Sequence, residues 1–192
     1  MNPLIADAQK TDFKAIVQIL NAGGVLIFPT ETLYGLGCDA TNVRALLKIY
    51  QIKNRPLGKS FPLLVRDWKM LNEYASINTH QKKTISGWKQ PTNFVVKAKN
   101  LSPLVMENRT AAFRFSKGKW IKKLFKQFDR PMVATSANLA GQPPVSDPRT
   151  YKEVFGKKAD LIDAVIFDGL NKKKKGSRIV DLIKRPYHII RA

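Results

Sequence analysis

The sequence predicts an α/β domain, and three observations carry that expectation. Short runs rich in β-branched and aromatic residues alternate with segments of helical spacing. Those runs end in Gly, Pro or small polar clusters. Beyond residue 160 the runs "AVIF", "RIVDLI" and "YHIIRA" lie close together, which makes part of the sheet antiparallel.

Each element has its own signal. "TDFKAIVQILNAGG" places Phe13, Ile16, Val17 and Leu20 on one helical face, with Thr11 or Asp12 to cap it and Gly23-Gly24 to end it. "VLIF" (25–28) reads as a buried strand. Residues 41–53 read as a second helix and 61–65 as a strand, followed by helices near 67–75 and 78–87. Strands follow at 92–98 and 111–115, a basic amphipathic helix at 118–128, and a strand at 131–135 opening into "SANLAG". The remainder predicts a helix near 147–155 and strands at 164–167, 178–183 and 187–192. No repeat or linker divides the chain, so one domain over residues 1–192 is expected.

With 192 residues, 44% hydrophobic and 25% charged, the chain has a globular composition. One cysteine, Cys38, excludes an internal disulfide, and two histidines leave a zinc centre poorly supplied, so no structural metal is expected. No apolar run reaches the ~20 residues of a membrane span, and the start lacks a secretory signal, so a cytoplasmic protein is expected. The net charge is +20, yet residues 1–50 hold four basic and four acidic residues. The excess beyond them favours polyanions, either nucleic acid or phosphorylated ligands. A generally basic set of solvated lysines is the plainer explanation.

Four stretches carry candidate chemistry. "FPTETLYGLG" (28–37) leaves a strand end, where open α/β sheets place ligands. Thr30 and Thr32 offer hydroxyls, Glu31 could pair with a cation or a ligand amine, and Gly35 and Gly37 would let backbone approach a ligand. A tight turn with Tyr34 in the core is the simpler alternative. "KNRPLGKS" (53–60) brings Lys53, Arg55 and Lys59 together around a Pro-Gly bend, which suits a di- or triphosphate. Lys53 and Arg55 could equally serve a helix C-terminus. Ser136 and Asn138 of "TSANLAG" can bond a phosphate or ribose, or simply cap a helix. Arg114 lies inside an apolar strand, so it needs either a buried carboxylate or an anionic ligand. Ser177 follows the lysine run "NKKKKG" (171–176), itself read as solvated.

"PTETLYGLGCDA", "KNRPLGKSFPLLV", "FR", "TSANLAG" and "GSRIVD", in this order, resemble the YrdC/YciO family, and within it the short threonylcarbamoyl-AMP synthases. The resemblance runs from about residue 10 to 190. It implies a twisted mixed, largely antiparallel open sheet with flanking helices and a basic concave groove. It also implies a nucleotidyltransferase that takes L-threonine, bicarbonate and ATP, with Mg²⁺ accompanying the ATP. A partner transferase would pass the product to tRNA. By position, Thr30, Thr32, Arg114 and Ser136 correspond to threonine-binding residues. Lys53, Arg55, Lys59, Ser136, Asn138 and Ser177 correspond to ATP-binding ones, with Lys53 and Arg55 as the catalytic cations. The chain departs from the family pattern at Lys89-Gln90, at Ser116 in place of a proline, and at Arg178. The rival reading is a double-stranded RNA or tRNA-binding protein without catalysis, favoured by the +20 charge.

Overall fold

The computed structural model describes residues 3–171 and 175–192. The chain opens with β1 (Leu4–Asp7), α1 (Phe13–Asn21), β2 (Leu26–Phe28) and β3 (Gly35–Gly37). It continues through α2 (Val43–Lys53), β4 (Leu63–Val65), α3 (Trp68–Tyr74), β5 (Ala75–Ser76), α4 (Thr79–Gly87), β6 (Thr92–Ala98) and β7 (Thr110–Phe115). Then come α5 (Lys119–Leu124), β8 (Met132–Val133), β9 (Thr135–Ser136), α6 (Tyr151–Phe155), β10 (Ala164–Phe167), β11 (Arg178–Asp181) and β12 (His188–Arg191).

Local chemistry sets the helix ends. Asp12, rather than Thr11, caps α1, its carboxylate accepting from the Lys14 N–H at 2.9 Å. Thr11 instead accepts from the Trp120 indole at 3.0 Å. Asn42 caps α2, and Asn54, in the left-handed region at φ 49°, closes it. Asn78 and Gln81 form a reciprocal capping box on α4. The helix expected at 118–128 stops at Leu124, and that expected at 147–155 begins as a 3₁₀ turn before α6.

The strands form two sheets where the sequence suggested one. The smaller has the order β1-β10-β2-β3-β9; the larger has β12-β11-β6-β7-β4-β8, with β5 beside β6. Both are mixed: β1/β10, β10/β2, β4/β7 and β6/β11 are parallel, and the other pairings among the described residues are antiparallel. The two sheets meet beyond β3, where the Val133 N–H donates to the Cys38 carbonyl and the Ala40 N–H to that of Pro131, both at 2.9 Å.

That junction corrects one expectation. Gly37 does not make room for a ligand: a Cβ there would lie 1.9 Å from the Val133 carbonyl oxygen. Its bare backbone lets the sheets touch. Gly35 in turn packs against the Phe28 ring. The stretch after β2 is therefore a hairpin, with Phe28 opposite Gly35. Tyr34 is buried, its hydroxyl donating to the Gly169 carbonyl at 2.6 Å and accepting from the Asp168 N–H at 2.8 Å.

Candidate active site

Between the sheets lies a cavity of about 760 Å³. It is walled by the β2–β3 loop, the segment after α2, the inner faces of β6, β7, β9 and β11, and the end of β12. Among the described residues, Arg55, Lys59, Arg114, Lys175 and Arg191 line it, against one acidic side chain, Glu107. Such a ratio favours an anionic occupant.

Eight of the nine residues that the resemblance assigns to threonine or ATP line this cavity: Thr30, Thr32, Arg55, Lys59, Arg114, Ser136, Asn138 and Ser177. Lys53 lies behind the wall. It is 4% exposed, and its Nζ donates to Asn138 Oδ1 at 2.6 Å and to the Ser136 carbonyl at 2.8 Å. Burial, and secondarily the Arg55 charge, lower its pKa from 10.5 to about 8. Asn138 Oδ1 also accepts from Ser136 Oγ at 2.7 Å, while its amide donates to the Gln142 carbonyl. One lysine thus holds both polar residues of the Ser-Ala-Asn turn.

The helix end that places Lys53 also sets the exposed cations. After Asn54 the chain reverses, the Arg55 N–H bonding back to the Tyr50 carbonyl at 3.1 Å. Arg55 lies over the Phe61 ring, 4.9 Å from its centroid, and reaches the Ser60 carbonyl at 3.1 Å. Its Nε is buried without a hydrogen-bond partner. Lys59 is exposed in the wall, while its carbonyl accepts from the Tyr50 hydroxyl at 2.9 Å.

Arg114 finds its carboxylate inside the protein. Its Nη1 lies 3.2 Å from Glu31 Oε1, and it also donates to Ser177 Oγ. Burial lowers its pKa, Glu31 opposes that shift, and Arg191 adds to it. Ser116 donates to the other Glu31 oxygen at 2.8 Å, so the departure from a family proline is absorbed as a clamp on Glu31. The Thr30 hydroxyl donates to the Leu33 carbonyl at 2.5 Å and accepts from the Thr32 N–H at 3.2 Å, which shapes the loop.

Sequence reasoning did not single out Arg191, Lys175, Asn93, Gln142 or Glu107. Arg191 is brought in by strand pairing, with Nε and Nη2 both donating to the Ser177 carbonyl at 3.1 and 2.6 Å. Lys175 is exposed at the end of the lysine run; Lys172 to Lys174 lie outside the described residues, as does most of the reading placed on them. Among the described residues, no three His, Cys, Asp or Glu side chains converge to hold a metal ion. No helix among them is long and apolar enough to cross a membrane.

The family model Sua5/YciO/YrdC, described as telomere recombination, matches residues 18–192. The chain is 34% identical over 161 residues to a threonylcarbamoyl-AMP synthase of Photobacterium profundum, covering 81% of this chain and 85% of that protein. A synthase of the same name from Coxiella burnetii is 32% identical over 150 residues, covering 76% and 81%. Sua5 of P. abyssi in complex with L-threonine superposes with a TM-score of 0.86 at 23% identity over the whole of this chain, which spans 57% of that protein. E. coli YciO superposes at 0.84 with 22% identity, covering 100% and 95%. These structures speak for the fold, and the matched family and relatives for descent. The chain belongs to the Sua5/YciO/YrdC family.

Proposed function

We propose that this chain is an L-threonylcarbamoyladenylate synthase, making threonylcarbamoyl-AMP and pyrophosphate from L-threonine, bicarbonate and ATP. The relatives above bear the name of that product, and the observation that carries the reading is the cavity itself. One space is lined by Arg55 and Lys59, which suit phosphates, and by Thr30, Thr32 and Arg114, which suit an amino acid.

The threonine amine adds to bicarbonate with loss of water, giving a carbamate. A carbamate oxygen then bonds to the α-phosphorus of ATP as the bond to the pyrophosphate oxygen breaks. No protein nucleophile is required. The chain's part is to bring two anions together and to offset charge on the leaving pyrophosphate. Arg114 would take the threonine carboxylate, with the Thr30 and Thr32 hydroxyls near its side chain. Arg55 and Lys59 would take the phosphates, and Ser136 and Asn138 would stand between the two substrates. Lys53 acts from behind, by fixing Ser136 and Asn138.

Mg²⁺ accompanying ATP would supply further charge neutralisation beside Arg55 and Lys59. The donor set fits a magnesium ion brought by ATP, because Glu107 is the one acidic side chain among the described residues of the wall. The product would pass to a tRNA-modifying transferase for N6-threonylcarbamoyladenosine formation in the cytoplasm. The test is mass spectrometry after incubation with threonine, ATP and ¹³C-labelled bicarbonate. A threonylcarbamoyl-AMP peak carrying the label is expected, and no adenylate of that composition would overturn the reading.

A further inference from the structure

We propose that Asn93 takes the amine of the amino-acid substrate, beside the Arg114 that takes its carboxylate. The inference deepens the synthase reading and rests on its choice of an amino acid. Asn93 is 3% exposed. Strand alternation puts it on the inner face of β6 with Val95, and both line the main cavity. The antiparallel register that pairs Phe94 with Phe113 and Val95 with Ala112 sets Asn93 beside Arg114 on β7. On its other side the parallel register sets it against Ile179 of β11. Arg114 and Ile179 line the cavity too.

The two ends of the Asn93 amide are unequal. Its Nδ2 donates to the Arg178 carbonyl at 3.2 Å. A carbonyl only accepts, so this bond fixes which end of the amide is nitrogen. The tie to β11 uses that nitrogen alone. Oδ1 is buried and has no hydrogen-bond partner among the described residues. A buried acceptor left open is costly, and a donor from a ligand completes it. Arg114 Nε is likewise buried without a partner among the described residues. An open acceptor and an open donor thus stand on neighbouring strands of one wall.

That pairing narrows the occupant. An α-amino acid carries its amine and its carboxylate on one carbon, and satisfies both groups together. An ionised phosphate presents acceptors and would leave Oδ1 open; a ribose hydroxyl could donate to Oδ1 but brings no charge to Arg114. The reaction also favours a neutral acceptor here. Carbamate formation needs the amine without its third proton and with its lone pair open to the carbon of bicarbonate. Arg114, Lys175 and Arg191 line the same cavity and disfavour an ammonium. An amide oxygen accepts one amine N–H without drawing the group towards the ammonium form as a carboxylate would. Asn93 therefore binds the amine in the state that reacts.

The test compares L-threonine with (R)-3-hydroxybutanoate, the same acid without its amine. Equilibrium binding of each is measured by calorimetry in the unaltered protein, in Asn93→Ala and in Asn93→Ser. The unaltered protein should prefer threonine by at least about tenfold, the worth of one hydrogen bond to a charged or strongly polar group. Asn93→Ala should lose that preference by weakening threonine alone, and Asn93→Ser, with a shorter acceptor, should keep part of it. Unfolding curves and retained ATP binding separate a lost contact from a lost fold. Equal binding of the two acids by the unaltered protein would overturn the assignment without recourse to any variant. A preference that survives in Asn93→Ala would overturn it too, as would equal loss of both acids, which would leave Asn93 a tie between β6 and β11. Labelled threonylcarbamoyl-AMP formed by the unaltered protein, alongside a preference indifferent to Asn93, would keep the synthase reading and sink this one. No adenylate, alongside a preference that disappears with Asn93, would do the reverse.

Discussion

Arg114 Nη1 and Glu31 Oε1 stand 3.2 Å apart with side chains 6% and 16% exposed, and the two residues face different cavities. Removing one partner from such a pair strands a charge, which costs far more than the intact pair contributes. Glu31→Gln is therefore expected to destabilise the fold by about 3 kcal/mol. Urea unfolding measures it, and combining the change with Arg114→Gln should recover part of the loss without restoring activity. A Glu31→Gln protein as stable as the parent would show that the pair is not formed.

Lys53 makes stability depend on pH in a direction opposite to most lysines. Burial holds its folded pKa near 8, below the 10.5 of an exposed lysine. Below pH 8 both states carry the proton, and the folded protein bears the whole cost of a buried cation. Between 8 and 10.5 only the unfolded chain keeps it, so this residue's contribution rises with pH, by about 3 kcal/mol at most. The stability of the parent relative to Lys53→Met should climb across that window. A flat difference would mean that the ammonium is not buried.

The contact between the sheets predicts a sharp contrast between two glycines. Gly37→Ala drives a Cβ to 1.9 Å from the Val133 carbonyl, so the sheets must part; a loss of about 3 kcal/mol or more is expected. Gly58→Ala meets no atom within 4 Å and carries only the strain of φ +92°, about 1 kcal/mol. Thermal unfolding of both proteins checks the order.

Metal removal should stop the reaction without loosening the fold. Among the described residues no cluster of protein ligands is placed to hold an ion, so EDTA should abolish turnover, leave the unfolding temperature unchanged, and be reversed by added Mg²⁺. A lowered unfolding temperature in EDTA would point to a protein-bound metal.

Residues near each other in sequence announced themselves, and residues joined by long-range pairing did not. The periodicity of 13–20 and 41–53 gave α1 and α2 because capping and amphipathicity are local. β1 is four residues that become a strand only by pairing with β10, far along the chain, and Gly-Leu-Gly becomes β3 only against β2. The same holds at the site. Lys53, Arg55 and Lys59 share one turn and were legible together. Arg191 reaches Ser177 only through the β11–β12 pairing, and the burial of Lys53 behind the Ser-Ala-Asn turn depends on packing that spacing cannot show.

The most direct measurement is pyrophosphate release from ATP and bicarbonate, with L-threonine, with L-serine and with neither. The account predicts release that requires threonine and bicarbonate, is weak with serine, and falls about 10²-fold in Arg55→Ala. Release indifferent to threonine, or undiminished in Arg55→Ala, would contradict it.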